Sequence, residues 1–292
     1  MKKITTLIFF FTLFCNFNVY CQLVADTSKV VLIETIDGNE YVGKILSDNT
    51  VTLILKTDNI GIITIQRINI KKIKEVKLEQ IKDGTVWFEN IQSTRYFWAP
   101  NGYGLKTGEG YYQNLWIFYN QAGYGFSDNF SVGVGLIPLF LFAGGSTPVW
   151  ITPKFSIPIK KDEFNLGAGI LAATVIGEDS ASFGIAYGLT TFGSRDRNFT
   201  LGMGYGYVGK DWAKRPIVMA STMIRTGKRG YFMSENYYIS TGDGYVILMT
   251  LGGRTLTRKI AIDYGLVIPI YTGMESLVAI PWLGLTVPIE GK

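Results

Sequence analysis

Four charged residues lie in segments that otherwise carry almost no charge, which makes them the first candidates for chemistry. Glu235 and Asp263 would supply two carboxylates, and Lys154 and Arg254 would supply two cations. A pair of carboxylates can hydrolyse a glycosidic bond, with one acting as acid and the other as base or nucleophile. In the alternative interpretation, which we favour, each acid is a charge in the lumen of a barrel, offset by one of the two cations.

The residues that this chain lacks narrow its chemistry further. It contains no histidine, so a Ser-His-Asp site cannot be assembled and zinc would lack its commonest ligand. Its two cysteines, Cys15 and Cys21, both lie near the N-terminus. Glycine-rich stretches such as 202–206 alternate on a predicted strand and lack the strand-turn-helix context of a phosphate-binding loop. We therefore predict no enzymatic activity, no cofactor and no metal.

The segments that would position these charges share an alternation with a period of two. Apolar residues alternate with small or polar residues in 130–136, 164–170 and 199–207. Because successive side chains of a strand point to opposite faces, each segment has one apolar face and one small or polar face. A protein core and a lipid bilayer would both accept this pattern, so the composition has to decide between them.

The composition favours the bilayer. Charged residues make up 17% of the chain, against about 25% in soluble proteins, while aromatic residues reach 14% and mean hydropathy is +0.20. The sequence nevertheless has no run of roughly 18 apolar residues, the length that a membrane helix requires. A hydrophobic chain without such a run is typical of a transmembrane β-barrel. The net charge of +5 gives no reason to propose a nucleic-acid partner.

The first 21 residues have the features of a secretory signal peptide. Lys2 and Lys3 precede the apolar stretch 7–14, and cleavage is expected after Cys21. An uncleaved membrane anchor is the alternative, but two asparagines shorten the apolar run below the length of a span. Removal of residues 1–21 would take both cysteines with it, so we predict an exported, mature chain without disulfides or thiols.

Residues 23–82 are predicted to form a small SH3-like or Sm-like β-domain. The stretch 36–45, Ile-Asp-Gly-Asn-Glu-Tyr-Val-Gly-Lys-Ile, resembles the first hairpin of Sm-like folds. Five short strands in about fifty residues are most economically closed into a small barrel, because closure removes exposed edges. The predicted strands are 30–35, 41–46, 51–55, 62–65 and 68–76.

A cluster of four lysines, Lys71, Lys72, Lys74 and Lys77, gives this small domain a basic edge. Sm-like folds often bind RNA, but an exported protein rarely meets RNA, and no aromatic stacking residues are interleaved with these lysines. We favour a solvated strand edge that the lysines protect against aggregation. The domain is then expected to dock a periplasmic protein, for which strand addition at the sheet edge is one route.

Beyond a linker at 83–93, residues 94–292 are predicted to form an antiparallel transmembrane barrel of about twelve strands, with eight to twelve compatible with the pattern. The first strand is placed at 95–99 and the second at 111–126. If the first strand leaves the periplasm, an even number of strands puts both ends of the chain on the periplasmic side, together with the small domain. Turns on that side are expected at Asp128, Lys161, Arg195, Lys228 and Arg258.

Short motifs in this region carry a resemblance to known proteins. The run Gly-Glu-Gly-Tyr-Tyr-Gln-Asn at 108–114 is the most specific, and further motifs lie at 94–97, 124–125 and 127–131. On these motifs the chain resembles an uncharacterised family of Gram-negative outer-membrane β-barrel proteins with a small N-terminal Sm/SH3-like β-domain. The resemblance spans most of the chain from about Lys44 onward, and it implies an outer-membrane barrel without implying an activity.

The sequence thus predicts an all-β, non-enzymatic outer-membrane protein that acts as a narrow pore or as a membrane anchor for its periplasmic domain. The alternative is an exported barrel that holds a small apolar or glycan ligand, either in the membrane or in a soluble form. The expected partners are outer-membrane lipid and a periplasmic protein, with no nucleic acid. The candidate lumen charges are Lys154, Glu235, Arg254 and Asp263.

Overall fold

The computed structural model describes residues 29–76, 78–82, 85–142, 144–177, 182–257 and 259–289. The predicted signal peptide, with Cys15 and Cys21, lies outside these residues, as do Lys77 and Arg258. The chain divides into two compact units, residues 1–87 and 88–292. The division falls inside the segment that we predicted as a linker.

The first unit is built on a five-stranded antiparallel sheet. Its strands are β1 (Val30–Thr35), β2 (Glu40–Asp48), β3 (Thr52–Thr57), β4 (Gly61–Gln66) and β5 (Ile70–Val76). They lie in the order β4-β3-β2-β1-β5, and Ile33, Leu53 and Leu55 form the centre of a fully buried apolar cluster. The five predicted strands are confirmed to within a few residues, whereas the kinship with Sm-like or SH3-like folds stays a prediction.

The lysine cluster lies on an edge of this sheet. Lys71, Lys72 and Lys74 are exposed on β5, which pairs with β1 on one side only within the described residues. The ammonium of Lys71 bonds the carboxylate of Glu34 at 2.8 Å. A two-stranded ladder of β6 (Ile81–Lys82) and β7 (Thr85–Val86) follows, and two 3₁₀ turns cover Arg67–Asn69 and Leu78–Gln80.

The second unit is a closed antiparallel barrel of twelve strands in the described part of the chain. Each strand pairs with its neighbours in sequence, and the last pairs with the first, Ile289 opposite Gly110. The prediction of about twelve antiparallel strands is therefore confirmed. The strands are β8 (Gly110–Leu115), β9 (Tyr119–Ser127), β10 (Phe130–Leu136), β11 (Thr147–Lys160), β12 (Phe164–Ile176), β13 (Ser182–Gly193), β14 (Arg197–Val208), β16 (Ile217–Arg225), β17 (Gly230–Ser240), β18 (Tyr245–Leu256), β19 (Ala261–Tyr271) and β20 (Ile280–Ile289).

Two short elements lie in the connections between barrel strands. The short strand β15 (Asp211–Trp212) extends the hairpin after β14, and the helix α1 (Pro138–Phe142) follows β10. No helix in the described part of the chain is both long enough and apolar enough to cross a bilayer.

The two ends of the barrel differ in their connections. The turns around residues 128, 161, 195 and 228, and the turn between β18 and β19, lie at one end, called the short-turn end, together with the start of β8 and the end of β20. The opposite, loop end carries the longer connections 137–146, 209–216 and 272–279, and also the short turns 116–118 and 241–244. The five turns thus share one end of the barrel with both of its chain ends, as the predicted parity requires.

The first two predicted barrel strands are wrong in detail. The segment 95–99, predicted as the first strand, is not a strand, because its hydrogen bonds close a local turn instead of a ladder. The segment 111–126, predicted as one strand, forms both β8 and β9. Trp116 and Ile117 adopt positive φ values of 48° and 70°, which turns the chain sharply between them. The predicted number of strands is still correct, because one predicted strand is absent and another forms two strands.

The faces of the barrel are inverted relative to a water-soluble one. Along most strands, exposed aliphatic or aromatic side chains on the outer face alternate with buried or small side chains that point into the barrel. Buried polar side chains line the interior, among them Gln113, Thr191, Thr200 and Thr250. The aliphatic side chains on the outside include Val134, Ile151, Ile170, Leu201, Met203, Val218, Leu251, Leu266, Leu283 and Leu285.

Strand glycines make room for large inward aromatic rings. A Cβ on Gly135 would lie 2.3 Å from the ring of Trp150, its cross-strand partner. That indole cannot move aside easily, because it donates to Gln121 at 3.0 Å and stacks on Tyr119 with ring centroids 4.3 Å apart. Gly123 faces the ring of Tyr111 in the same way, and Gly169 faces that of Tyr187.

The substitution Gly135→Ala is expected to destabilise the barrel, because the added methyl group would displace the Trp150 ring from its hydrogen bond. Overpacking of this kind lowers the free energy of unfolding by about 1–3 kcal/mol. Urea unfolding in detergent micelles measures the change. Gly188→Ala is the matched control, since a Cβ there meets no atom within 4 Å. Equal stabilities of the two variants would show that the ring is not confined.

Candidate functional site: the plugged lumen

Residues 88–105, which we call the plug, precede the first strand and lie inside the barrel. A tight turn forms the tip: the amide of Tyr96 donates to the carbonyl of Ala99 at 2.9 Å, and Asn101 donates to Thr94 at 3.0 Å. Hydrogen bonds join the plug to strands β8, β11, β13, β14, β17 and β18, which are spread around the circumference. The plug therefore fills the short-turn part of the lumen.

Apolar packing holds the tip of the plug against one side of the wall. Tyr96 and Phe97 are fully buried in a cluster that includes Met219, Met223 and Met233. Methionine side chains fill irregular gaps well, because they are unbranched and polarizable. The tyrosine hydroxyl is also satisfied, by Asn198 at 2.6 Å and Thr200 at 2.7 Å.

A buried ion pair clamps the base of the plug. Arg254 and Asp263 are cross-strand partners on β18 and β19, and they form a bidentate pair at 2.6 and 2.9 Å. The same guanidinium donates to the carbonyls of Gln92 at 2.6 Å and Tyr96 at 2.7 Å. Burial of two charges is favourable only when the remaining donors find partners, and the plug backbone provides them here.

Glu235 clamps the tip of the plug from β17. One carboxylate oxygen accepts the amides of Trp98 at 2.9 Å and Ala99 at 3.0 Å, and the other accepts the hydroxyl of Tyr237 at 2.8 Å. The side chain is 2% exposed. Backbone amides and a phenol, and not Lys154 as the sequence suggested, therefore offset this carboxylate.

The two carboxylates do not form a catalytic pair. Glu235 lies opposite Thr250, which lies opposite Val267, so Asp263 is four residues further along its strand. Four residues of a strand span about 13 Å, whereas carboxylates that hydrolyse glycosides lie about 5–9.5 Å apart. All four carboxylate oxygens are also engaged in the contacts described above. The geometry supports a structural role for both acids.

Lys154, the fourth predicted lumen charge, is buried on β11. Its ammonium donates to the carbonyl of Tyr103 in the plug at 2.5 Å. Arg95, which sequence analysis missed, projects from the plug, donates to Gln113 at 3.0 Å and lies over the ring of Tyr111 at 4.5 Å. Lys154 on the wall and Arg95 on the plug thus both line the lumen, and neither forms an ion pair with Asp263, which is paired with Arg254.

The lumen above the plug contains a cavity of about 620 Å³. Arg95, Lys154 and Trp98 contribute to its lower part, and the walls rise past Leu189 to Ile239 near the loop end. Small-molecule sites usually have volumes of about 300–1,000 Å³ and mostly apolar walls with a few polar groups. The cavity has the size and character of a ligand-binding site.

An acidic turn secures the chain where it leaves the plug. The carboxylate of Asp128 accepts the amide and the hydroxyl of Thr107, each at 2.9 Å. These bonds, the amide first, hold the pKa of Asp128 below its ordinary value. The contact stabilises the fold above the ordinary pKa of an aspartate, and it is lost as the pH falls through the lowered value.

Arg254→Met is expected to lower the free energy of unfolding by about 3–5 kcal/mol, because it leaves the carboxylate of Asp263 buried and unpaired. The double variant Arg254→Met/Asp263→Leu should lose less than the sum of the two single variants, since no charge remains buried. Urea unfolding of the four proteins measures the coupling. Lys259→Met, in the exposed adjacent turn, is the control and should change stability by less than about 0.5 kcal/mol. If the stability loss of the double variant equals the sum of the two single losses, Arg254 and Asp263 do not interact energetically, which would contradict the ion pair.

No family model and no curated protein matches this sequence. Among solved structures the chain is similar to "KdgM porin in complex with disordered oligogalacturonate", with 8% identity, a TM-score of 0.41 and coverage of 63% of this chain and 97% of that chain. It is also similar to "Outer-membrane expressed OmpT of Vibrio cholerae", with 9% identity, a TM-score of 0.34 and coverage of 89% and 95%. Likenesses this distant do not identify a ligand or an activity for this chain.

Proposed function

We propose that this chain is a non-enzymatic outer-membrane β-barrel whose lumen is closed by the plug and holds a small ligand above it. The observation that carries the proposal is the plugged, outwardly apolar barrel with a cavity open toward the loop end. The predicted narrow pore fits this arrangement less well, because the plug is bonded to six strands around the wall.

The membrane location is supported by the height of the outward apolar face. On β14 the apolar residues of the outward face run from Phe199 to Tyr207. Eight residue steps correspond to about 27 Å along a strand and, at a tilt of about 40°, to a band of about 20 Å. Spanning barrels present an apolar band of about 25 Å. A water-soluble barrel would instead place these aliphatic side chains inside.

Aromatic residues border this band near both ends. At the short-turn end, Phe130 packs on Phe155 with centroids 4.7 Å apart, and Phe164 stacks on Phe192 at 5.0 Å. At the loop end, Tyr238 stacks on Tyr245. Aromatic girdles of this kind mark the two membrane–water interfaces of spanning barrels.

The proposed orientation follows from the connections. Outer-membrane barrels have short periplasmic turns and longer extracellular loops, so we propose that the short-turn end lies in the periplasm together with the small domain that precedes the barrel. The cavity then opens toward the outside of the cell. The small domain is proposed to engage a periplasmic protein, and the barrel serves as its anchor in the outer-membrane lipid.

The wild-type protein in planar bilayers is expected to show no steady ohmic current, because the plug occupies the lumen. Replacement of residues 93–102 by a Gly/Ser linker should open a water-filled path and produce a current. Heat-modifiable migration on a gel checks that both proteins are folded barrels. A steady wild-type current as large as that of the linker variant would contradict closure and favour the pore.

Two single-cysteine variants test the orientation. Lys210→Cys lies at the loop end and Lys161→Cys lies in a short turn, and both positions are exposed. A membrane-impermeant maleimide applied to intact cells should label the first and spare the second, because the mature chain is expected to have no other thiol. Labelling of Lys161→Cys alone would show the opposite orientation, with the short-turn end outside the cell. Labelling of neither variant would argue against a surface-exposed loop end.

A further inference from the structure

Two cations at the bottom of the cavity have no acidic partner. Within the described residues, all ion pairs closer than 4.0 Å involve other cations, and none includes Arg95 or Lys154. The two predicted lumen acids cannot act as counter-ions for these cations, because Asp263 is paired with Arg254 and Glu235 accepts three hydrogen bonds. A buried cation without a counter-charge is unfavourable.

Most of the hydrogen-bond donors of these two cations are unused. Lys154 is 7% exposed and makes one hydrogen bond, to a neutral carbonyl, although an ammonium has three donors. Arg95 makes one side-chain hydrogen bond, to Gln113, and its buried Nε has no partner. Buried polar atoms are nearly always satisfied in folded proteins, so the open donors point to a missing acceptor.

The cavity above the two cations is apolar. Its walls include Leu171, Ile185, Leu189, Met219, Ile239 and Leu248. An inorganic anion would gain little from such walls, whereas a hydrocarbon chain would be removed from water along its length. The combination of a cationic floor and an apolar shaft matches a molecule that is charged at one end only.

We propose that the cavity binds a single-chain amphiphile with an anionic head, a carboxylate or a phosphate, against Arg95 and Lys154 and with its chain along the apolar walls. This deepens the proposed function and rests on it, because it names the class of ligand held above the plug. Arg95 belongs to the plug and Lys154 to the wall, so the head group bridges the two.

Binding of dodecanoate to the full-length protein in nanodiscs of zwitterionic phospholipid tests this assignment. Equilibrium dialysis with labelled dodecanoate, corrected with empty nanodiscs, should show saturable binding at one site per chain. Dodecyl phosphate should compete if the head-group site accepts phosphate, and 1-dodecanol should bind about tenfold or more weakly, because a neutral head loses the charge-assisted bonds. Acetate, which lacks the chain, should not compete. Equal binding of dodecanol and dodecanoate would overturn the proposal.

Matched variants assign the head group to its residues. Lys154→Met should weaken dodecanoate by about tenfold and leave dodecanol unchanged, while the exposed Lys161→Met should alter neither. Arg95→Gln provides a second test if Lys154→Met fails the heat-modifiable migration assay. Unchanged dodecanoate binding in a folded variant of either cation would overturn the site. A folded, non-conducting barrel that binds no dodecanoate would overturn this inference and leave the closed membrane barrel intact.

Discussion

Arg254 joins three parts of this molecule through one buried guanidinium: its own strand, the carboxylate of Asp263 on the neighbouring strand, and three carbonyls of the plug. The inward side chains of a barrel just fill an interior of about eight strands, so a twelve-strand barrel leaves room for the plug. That segment carries backbone groups that need partners. Arg254 provides donors for its carbonyls, and Glu235 provides acceptors for its amides.

Closure at one end determines what the other end can do. With the plug in place, the lumen becomes a shaft with a floor, and the floor carries the donors of Arg95 and Lys154. The strand glycines make room for large inward aromatic rings such as Trp150, and these rings fill part of the lumen. In the proposed function the apolar exterior contacts lipid, and the apolar shaft is a separate surface that encloses the ligand.

The alternation of period two was sufficient to predict the barrel strands from β10 onward and their outward aliphatic face, because both depend on local side-chain direction. The number of strands was right because the errors at 95–99 and 111–126 offset each other. The turn at Trp116 and Ile117 was missed because it contains no glycine, proline or asparagine, so the pattern of 111–126 predicts one continuous strand. The plug was missed because Tyr96 and Phe97 resemble a strand end. Glu235 and Asp263 looked alike in sequence, and only the register and the plug gave them different partners.

Hydrogen exchange of the plug tests the central claim most directly. If Glu235 and Arg254 hold the plug in the lumen, peptides covering residues 92–102 of the folded protein in nanodiscs should exchange as slowly as those from the barrel strands, and far more slowly than the exposed loop 209–216. The amides of Trp98 and Ala99 should be among the slowest, since they donate to a buried carboxylate. Exchange of the plug at the rate of the exposed loop would contradict a clamped plug.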